Sequence, residues 1–332
     1  MSDNPDPIHQ LAGSDVQVGG IGVGTWAWGD RATWGMGGYD AALTLDTIRE
    51  AWTASLEAGV GFFDTAEVYG DGESERIIGR LLAETPAERR GGVVLATKFM
   101  PAPWKLRVRS ALLAAVRASL GRLGVGTVDL YQIHGPVSLR SHGALADALA
   151  AAHDAGLVRA VGVSNYSVRE TCAVDDALRA RGLRLATNQV EYSLLRTMPE
   201  TSGLLRTCRE RGIVVLAYSP IGQGRLTGKY SAAAPPPSGR NFSDHDMTLV
   251  DPVVARLRDL GEAHGGRTPG QVALNWIIRK GAIPIPGAKN RGQALENAGA
   301  LGWALSDDEV AELDELALAG RRALRHRVWQ HG

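Results

Sequence analysis

A carboxylic acid, a phenol, an amine and an imidazole stand in this chain where short apolar runs end, and together they could move a proton. Asp64 closes Gly61-Phe62-Phe63, and Tyr69 follows in the next loop, against Gly70-Asp71-Gly72. Lys98 ends the run Gly92-Val93-Val94-Leu95-Ala96-Thr97, and His134 ends Val128-Asp129-Leu130-Tyr131-Gln132-Ile133. A phenol with its ordinary pKa of about 10 is a poor acid at neutral pH. A nearby ammonium favours the phenolate and lowers that pKa, so Lys98 is the neighbour this chemistry would want for Tyr69. Each residue also has a plain structural explanation: a helix N-cap for Asp64, a solvated strand terminus for Lys98, a core histidine for His134, a surface phenol for Tyr69. What points to a site is their joint occurrence at, or just after, successive strand ends.

Those ends need elements to carry them, and the chain supplies a regular alternation. The spacing predicts helices over 44–58, 74–83, 107–123, 144–155, 168–180 and 200–211. Between and after them come apolar strands that end at Asp64, Lys98, His134, Ser164-Asn165, Gln189 and Tyr218, roughly 25 to 36 residues apart, one βα unit each. Their near-continuous apolar character suits strands buried on both faces. A Gly/Pro-rich loop from Pro220 to about Thr248 interrupts the rhythm. Helices over 252–263 and 269–278 then precede a strand over 282–286, and a last pair covers 292–298 and 307–317. With a short strand at 19–24 the count is eight. That predicts an α/β fold, a (β/α)8 TIM barrel in a single domain over 1–332. An N-terminal β-hairpin over 8–18 and C-terminal loop and helix additions complete it. A doubly wound sheet would need a glycine fingerprint, but in Gly20-Ile21-Gly22-Val23-Gly24-Thr25 a threonine stands at the third glycine and a Trp-rich loop follows. In a barrel, polar residues at C-terminal strand ends converge on one face.

Composition limits the alternatives. Hydrophobic residues make up 44% and charged residues 22%, as in a packed soluble globule. Lys plus Arg and Asp plus Glu number 36 each, which argues against a nucleic-acid or membrane-surface role. Two cysteines, Cys172 and Cys208, imply no disulfide framework, and a reducing compartment, the cytoplasm, is the expectation. The polar stretch Met1–His9 lacks the apolar region of a signal peptide, and no stretch reaches the roughly 20 apolar residues of a membrane span. The eight histidines show no ligand spacing, so no metal is expected. The sequence carries no signal for oligomeric state.

Six stretches, in order, resemble the aldo-keto reductase family: Phe63-Asp64-Thr65-Ala66-Glu67-Val68-Tyr69-Gly70, Ala96-Thr97-Lys98, Leu130-Tyr131-Gln132-Ile133-His134, Val161-Gly162-Val163-Ser164-Asn165-Tyr166, Asn188-Gln189-Val190-Glu191-Tyr192-Ser193 and Ile283-Pro284-Ile285-Pro286-Gly287-Ala288-Lys289. The segments Gly24–Gly29 and Gly302-Trp303 are similar to the branch holding plant chloroplast members, pyridoxal reductase among them. The resemblance implies a catalytic tetrad of Asp64, Tyr69, Lys98 and His134. Tyr69 would donate a proton to a carbonyl oxygen as hydride reaches the carbon. Lys98, paired with Asp64, would lower the phenol pKa, and His134 would orient the carbonyl. It also implies NADPH/NADP+ rather than NADH as hydride carrier, because no side chain supplies hydride. Ser164, Asn165 and Gln189 would hold the nicotinamide amide, and Tyr218 would stack on the ring. Ser219, Pro220, Gly222, Gly224, Leu226 and Lys229 form a stretch whose backbone could face a pyrophosphate. Lys289 and Asn290 would meet the ribose 2′-phosphate, and Gln293, Glu296 and Asn297 the adenosine. Many members carry an arginine where Leu295 stands here, and Arg291 could compensate.

Substrate choice falls to loops. Trp26, Trp28, Trp34 and Trp104 are the candidate pocket walls, suggesting an aromatic or pyridoxal-like carbonyl. The basic stretch Arg321–Arg327 could attract an anion, although a solvated tail is the simpler reading of 321–332. Two other classes compete with a reductase: an NADPH-binding regulatory subunit with slow turnover, and a barrel hydrolase. The second would need paired carboxylates or metal ligands at strand ends, where only Asp64 occurs.

Overall fold

The structure, a computed structural model, describes residues 6–29, 43–237, 242–320 and 328–332. Two short strands, β1 (His9–Gln10) and β2 (Gln17–Val18), pair antiparallel. Eight more form one parallel sheet in chain order: β3 (Val23–Gly24), β4 (Phe62–Asp64), β5 (Val94–Phe99), β6 (Val128–Ile133), β7 (Val158–Ser164), β8 (Leu185–Glu191), β9 (Val214–Tyr218) and β10 (Ile283–Pro284). The ends of that sheet meet. Gly22 N donates to Pro284 O and Gly24 N to Pro286 O, each at 3.0 Å, and Gly24 bridges Gly287. The expected (β/α)8 barrel is thus closed. β10 is shorter than the anticipated 282–286 because Pro284 and Pro286 have no N–H to donate. Their carbonyls still accept, and those two bonds seal the ring.

The helices form where periodicity and caps agree. Ser167, Thr268 and Ser306 each close a capping box with the residue three positions on, satisfying N–H groups that have no partner inside the helix. The helix Met247–Ala263 starts earlier than the expected Pro252. Asp246 caps it by accepting from Thr248 N at 3.0 Å, so the first turn forms ahead of the proline.

Inside the barrel, side chains alternate inward and outward along each strand. One inward layer, Phe62, Ala96, Leu130, Ala160, Leu216 and Ile283, is apolar and buried. It packs on Leu11, Val16 and Val18 of the hairpin, which closes the N-terminal end of the barrel. Two residues further along the same strands, the period delivers Asp64, Lys98, Gln132 and Tyr218 to the next layer up. β8 reaches that layer by an irregularity. Val161 lies opposite Leu185 but Gly162 lies opposite Thr187, so Ala186 is an extra residue, a bulge. Past it, Thr187, Gln189 and Glu191 face inward. Gly162 is required opposite the bulge, since a Cβ there would sit 2.1 Å from Thr187 Oγ1. Among the described residues no helix is long and apolar enough to cross a membrane.

Candidate active site

Lys98 has no exposed surface and Asp64 is 2% exposed. Lys98 Nζ donates to Asp64 Oδ2. Asp64 Oδ1 accepts from Gln189 Nε2 at 2.8 Å and Gln132 Nε2 at 3.1 Å. The ammonium also donates to Thr65 O at 2.7 Å and to Tyr69 Oη at 3.3 Å. Its three protons are therefore all used. Because Tyr69 Oη accepts one of them, the phenol's own proton points away from Lys98. Tyr69 reaches this position through a tight loop. Gly70 and Gly72 have φ 61° and 80°, and a Cβ on Gly70 would sit 1.7 Å from Gly29 O. His134 follows β6, anchored by its N–H to Phe99 O at 2.9 Å, and its ring lies edge-on to Tyr69 with centroids 5.6 Å apart.

The electrostatics differ from the expectation that Lys98 lowers the Tyr69 pKa. Burial, and then the Asp64 carboxylate, hold the phenol well above its ordinary value. Asp64 matches the Lys98 charge, so the pair presents little net field to Tyr69 and desolvation wins. The phenol keeps its proton through the neutral range, as a proton donor must. Burial lowers the pKa of Lys98, with Asp64 acting against it. Burial, and then the Lys98 charge, keep His134 well below the usual imidazole range, so it is neutral near pH 7.

A cavity of about 490 Å³ opens above this layer. Tyr69, His134, Asp64, Trp26, Phe242 and Trp329 line it, and so do Lys289, Gln293, Glu296, Asn297 and Lys229. Gly24, Ser164, Asn165, Gln189, Tyr218, Ser219, Gln223 and Gly224 belong to the same lining. Asn165, Ser219 and Gln223 carry φ of 64°, 49° and 52°, a conformation that side chains other than glycine rarely adopt and that collects at functional sites. A profile of the aldo/keto reductase family matches residues 20–318.

The chain belongs to the aldo/keto reductase family.

It is 36% identical to the chloroplastic pyridoxal reductase of Arabidopsis thaliana, over 98% of this chain and 90% of that one. A glycerol dehydrogenase from Gluconobacter oxydans has a similar structure, with a TM-score of 0.79 and 29% identity over 98% of this chain and 99% of that one. A Bombyx mori aldo-keto reductase solved with NADP superposes with a TM-score of 0.75 and 25% identity, covering 98% and 99% of the two chains. Membership makes this an oxidoreductase of carbonyl groups, with NADP(H) as the family's hydride carrier.

The cavity suits such a dinucleotide. Its lining includes two lysines, Lys229 and Lys289, and two glycines at which a Cβ would crowd its neighbours. On Gly24 a Cβ would lie 2.8 Å from Ile285 O, and on Gly224 2.7 Å from Lys229 Cε. Of the residues expected at the cofactor, Ser164, Asn165, Gln189, Tyr218, Ser219, Gly224, Lys229, Lys289, Gln293, Glu296 and Asn297 line it. Four do not. Pro220 and Gly222 are buried behind the wall, Leu226 is fully buried in the core, and Asn290 is the N-cap of the helix Arg291–Ala298, accepting from Gln293 N at 2.9 Å. Arg291, expected to replace the family's arginine, instead reaches Glu57 at 3.2 Å.

Of the expected tryptophans that lie among the described residues, Trp26 lines the cavity. Trp28 belongs to the core, 4% exposed, against Phe63 and with its N–H on Ala288 O at 2.7 Å. Trp104 is 80% exposed and off the wall. Trp34 lies outside the described residues. Two aromatic walls were missed, Phe242 and Trp329. Val328–Gly332 also corrects the expectation of a solvated tail. Gln330 is 6% exposed, and Gly332 packs where a Cβ would come within 2.7 Å of Tyr166 O. Gln132 was missed too, although its signal was legible: an amide two residues before His134, in register with Lys98.

Proposed function

We propose that the chain reduces an aldehyde or ketone to an alcohol with NADPH, with Tyr69 as proton donor. The observation that carries this is the Tyr69 hydroxyl, held by Lys98 and beside the His134 ring, on the wall of a cavity of about 490 Å³ that Lys229 and Lys289 also line. NADPH, when bound, supplies the hydride. Ser164, Asn165, Gln189 and Tyr218 would hold its nicotinamide end, and Lys289, Gln293, Glu296 and Asn297 its adenosine end. As an alkoxide develops at the carbonyl oxygen, Tyr69 gives up its proton to that oxygen. The phenolate left behind is then stabilised by the Lys98 ammonium, while neutral His134 orients the carbonyl.

The aromatic faces of Trp26, Phe242 and Trp329 favour a flat, aromatic carbonyl, and the Arabidopsis relative makes pyridoxal the first candidate. A cytoplasmic setting is proposed from the two unpaired cysteines. The test is NADPH oxidation by the purified chain against a carbonyl panel that includes pyridoxal, with NADH in parallel. NADPH binding without turnover on any carbonyl would replace this reading with that of a regulatory subunit.

Three outcomes follow from the site's charges. Lys289→Ala should weaken NADPH about tenfold or more, the value of one charge-assisted contact, and leave NADH nearly unchanged. Equal losses in a binding titration would remove the 2′-phosphate role. The pH profile of kcat/KM should be flat between pH 6 and 8. His134 is already neutral there and Tyr69 still protonated, so a step near 6.5 would contradict their placement. His134 also ties stability to pH. Below 6.5 the unfolded chain takes up a proton that the folded site refuses, so stability is lost as pH falls from 6.5 towards the depressed folded value.

A further inference from the structure

Glu191 ends β8 on the inner side and is 2% exposed. One carboxylate oxygen, Oε1, accepts from both the N–H of Ser243 at 2.7 Å and its hydroxyl at 3.0 Å. The other, Oε2, accepts from Gln330 Nε2 and lies 3.6 Å from Arg196 Nε. Ser243 and Gln330 are each the chain neighbour of an aromatic wall. Phe242 precedes Ser243, and its ring meets Trp26 and Tyr218 at 5.9 and 5.6 Å. Trp329 precedes Gln330, and its ring meets His134 at 5.4 Å. One buried carboxylate thus ties together two walls that come from segments far apart in the chain.

Both segments also reach the cofactor end. Phe242 N donates to Gln223 Oε1 at 3.1 Å, and Arg225 donates to Phe242 O at 3.2 Å. Gln330 donates to Tyr218 Oη at 2.8 Å, Tyr218 donates to Asn165 Oδ1 at 2.8 Å, and His331 N donates to Asn165 O at 3.0 Å. Ser243 has φ 51°, a strained state for serine that persists only where its surroundings hold it, and Glu191 supplies two of those bonds.

We propose that Glu191 is a positioning residue that couples the loop after β9 to the tail, so that a dinucleotide docking along Gln223–Lys229 also sets Trp329 over the carbonyl site. This rests on reading that loop as part of the cofactor's cradle. Charge and geometry at one atom pair would then make the substrate wall complete only when the cofactor is in place.

The test is backbone hydrogen exchange on the full chain, wild type and Glu191→Gln, with and without NADPH. The substitution sets an amide NH2 against donors from Ser243 or Gln330, which cannot all be accepted. Without NADPH, the amides of Ser243 and His331 should both exchange at least tenfold faster in Glu191→Gln. With NADPH, both should slow together in the wild type, whereas His331 should not respond in the variant. The carbonyl KM should rise about tenfold while kcat changes less. Gln330→Ala serves as second variant. It keeps the bonds to Ser243, so Ser243 should still slow with NADPH and His331 should not. An unchanged His331 rate in both variants without NADPH, or equal slowing of His331 in wild type and variants, overturns the coupling. If NADPH slows no amide in any form, the cofactor reading fails, and the comparison without NADPH still decides whether Glu191 joins the two segments.

Discussion

Tyr69→Phe should bind NADPH as the wild type does and lose carbonyl reduction by a factor of about 10²–10⁴, the range a positioned general acid provides. The substitution removes the atom that would protonate the oxygen but leaves the ring, whose edge-on contact with His134 helps shape the cavity. It also removes an acceptor of Lys98 Nζ, so one ammonium proton loses its partner in a site with no exposed surface at Lys98. An unpaired buried donor costs about 1–3 kcal/mol, and a modest fall in stability should accompany the kinetic loss. Single-turnover kinetics with prebound NADPH isolates the chemical step. A rate within a few fold of wild type would mean that the proton comes from another group, and the assignment of Tyr69 would fall.

Asp64→Asn should be the most destabilising conservative change in the site. The carboxylate accepts from three donors: Lys98 Nζ, Gln132 Nε2 and Gln189 Nε2. An asparagine has one acceptor oxygen, so its NH2 must face a donor. It also leaves Lys98 as a buried charge without a counter-charge. Removing one partner of a buried pair costs about 3–5 kcal/mol, to be read from denaturant unfolding. The pH dependence has a definite sign. Burial already lowers the Lys98 pKa, and losing Asp64 lowers it further. Between that folded value and the unfolded value the unfolded chain binds more protons, so stability rises with pH there. The deficit of Asp64→Asn should therefore be largest at neutral pH and shrink as pH rises towards 10. Adding Lys98→Met should recover part of the stability, since no buried charge remains, with activity still absent. A deficit that does not change with pH would mean that the cost is packing and not charge.

Much of this was legible in the sequence because strands have a period of two and end abruptly. Asp64, Lys98 and His134 each follow an apolar run, and a barrel makes such ends meet. The loop between Pro220 and Thr248 and the tail have no period, so nothing in their residues says which way Phe242 or Trp329 points. Trp28 and Trp104 mislead for the same reason. A tryptophan in a loop is as able to fill a core or to face water as to wall a cavity, and here one of the pair does each. Lys98 as an activator of Tyr69 follows from pairwise charge logic alone. Burial and the cancelling charge of Asp64 become visible only once all three groups are placed. Pro220, Gly222 and Leu226, buried behind the wall, and Asn290, spent on a helix cap, show a finer limit: a motif marks a loop, while its local backbone decides which of its residues face inward.

The single extra residue in β8 has a further implication for how such a barrel can change. Ala186 belongs to the apolar plug, and the next residue, Thr187, also faces inward, on Gln132. Two consecutive residues thus share one face, and the strand holds one residue of slack. Without Ala186, Leu185 and Thr187 would already stand opposite Val161 and Gly162 in unbroken alternation. Gln189 would stay on Asp64 and Glu191 on both aromatic walls, and the plug would lose one methyl group. A one-codon insertion between Thr187 and Gln189 has no such slack to draw on. It would turn Gln189 and Glu191 towards the helices, because a strand offers its side chains alternately to either side. One codon fewer would thus spare the chemistry of this barrel, and one codon more would erase it.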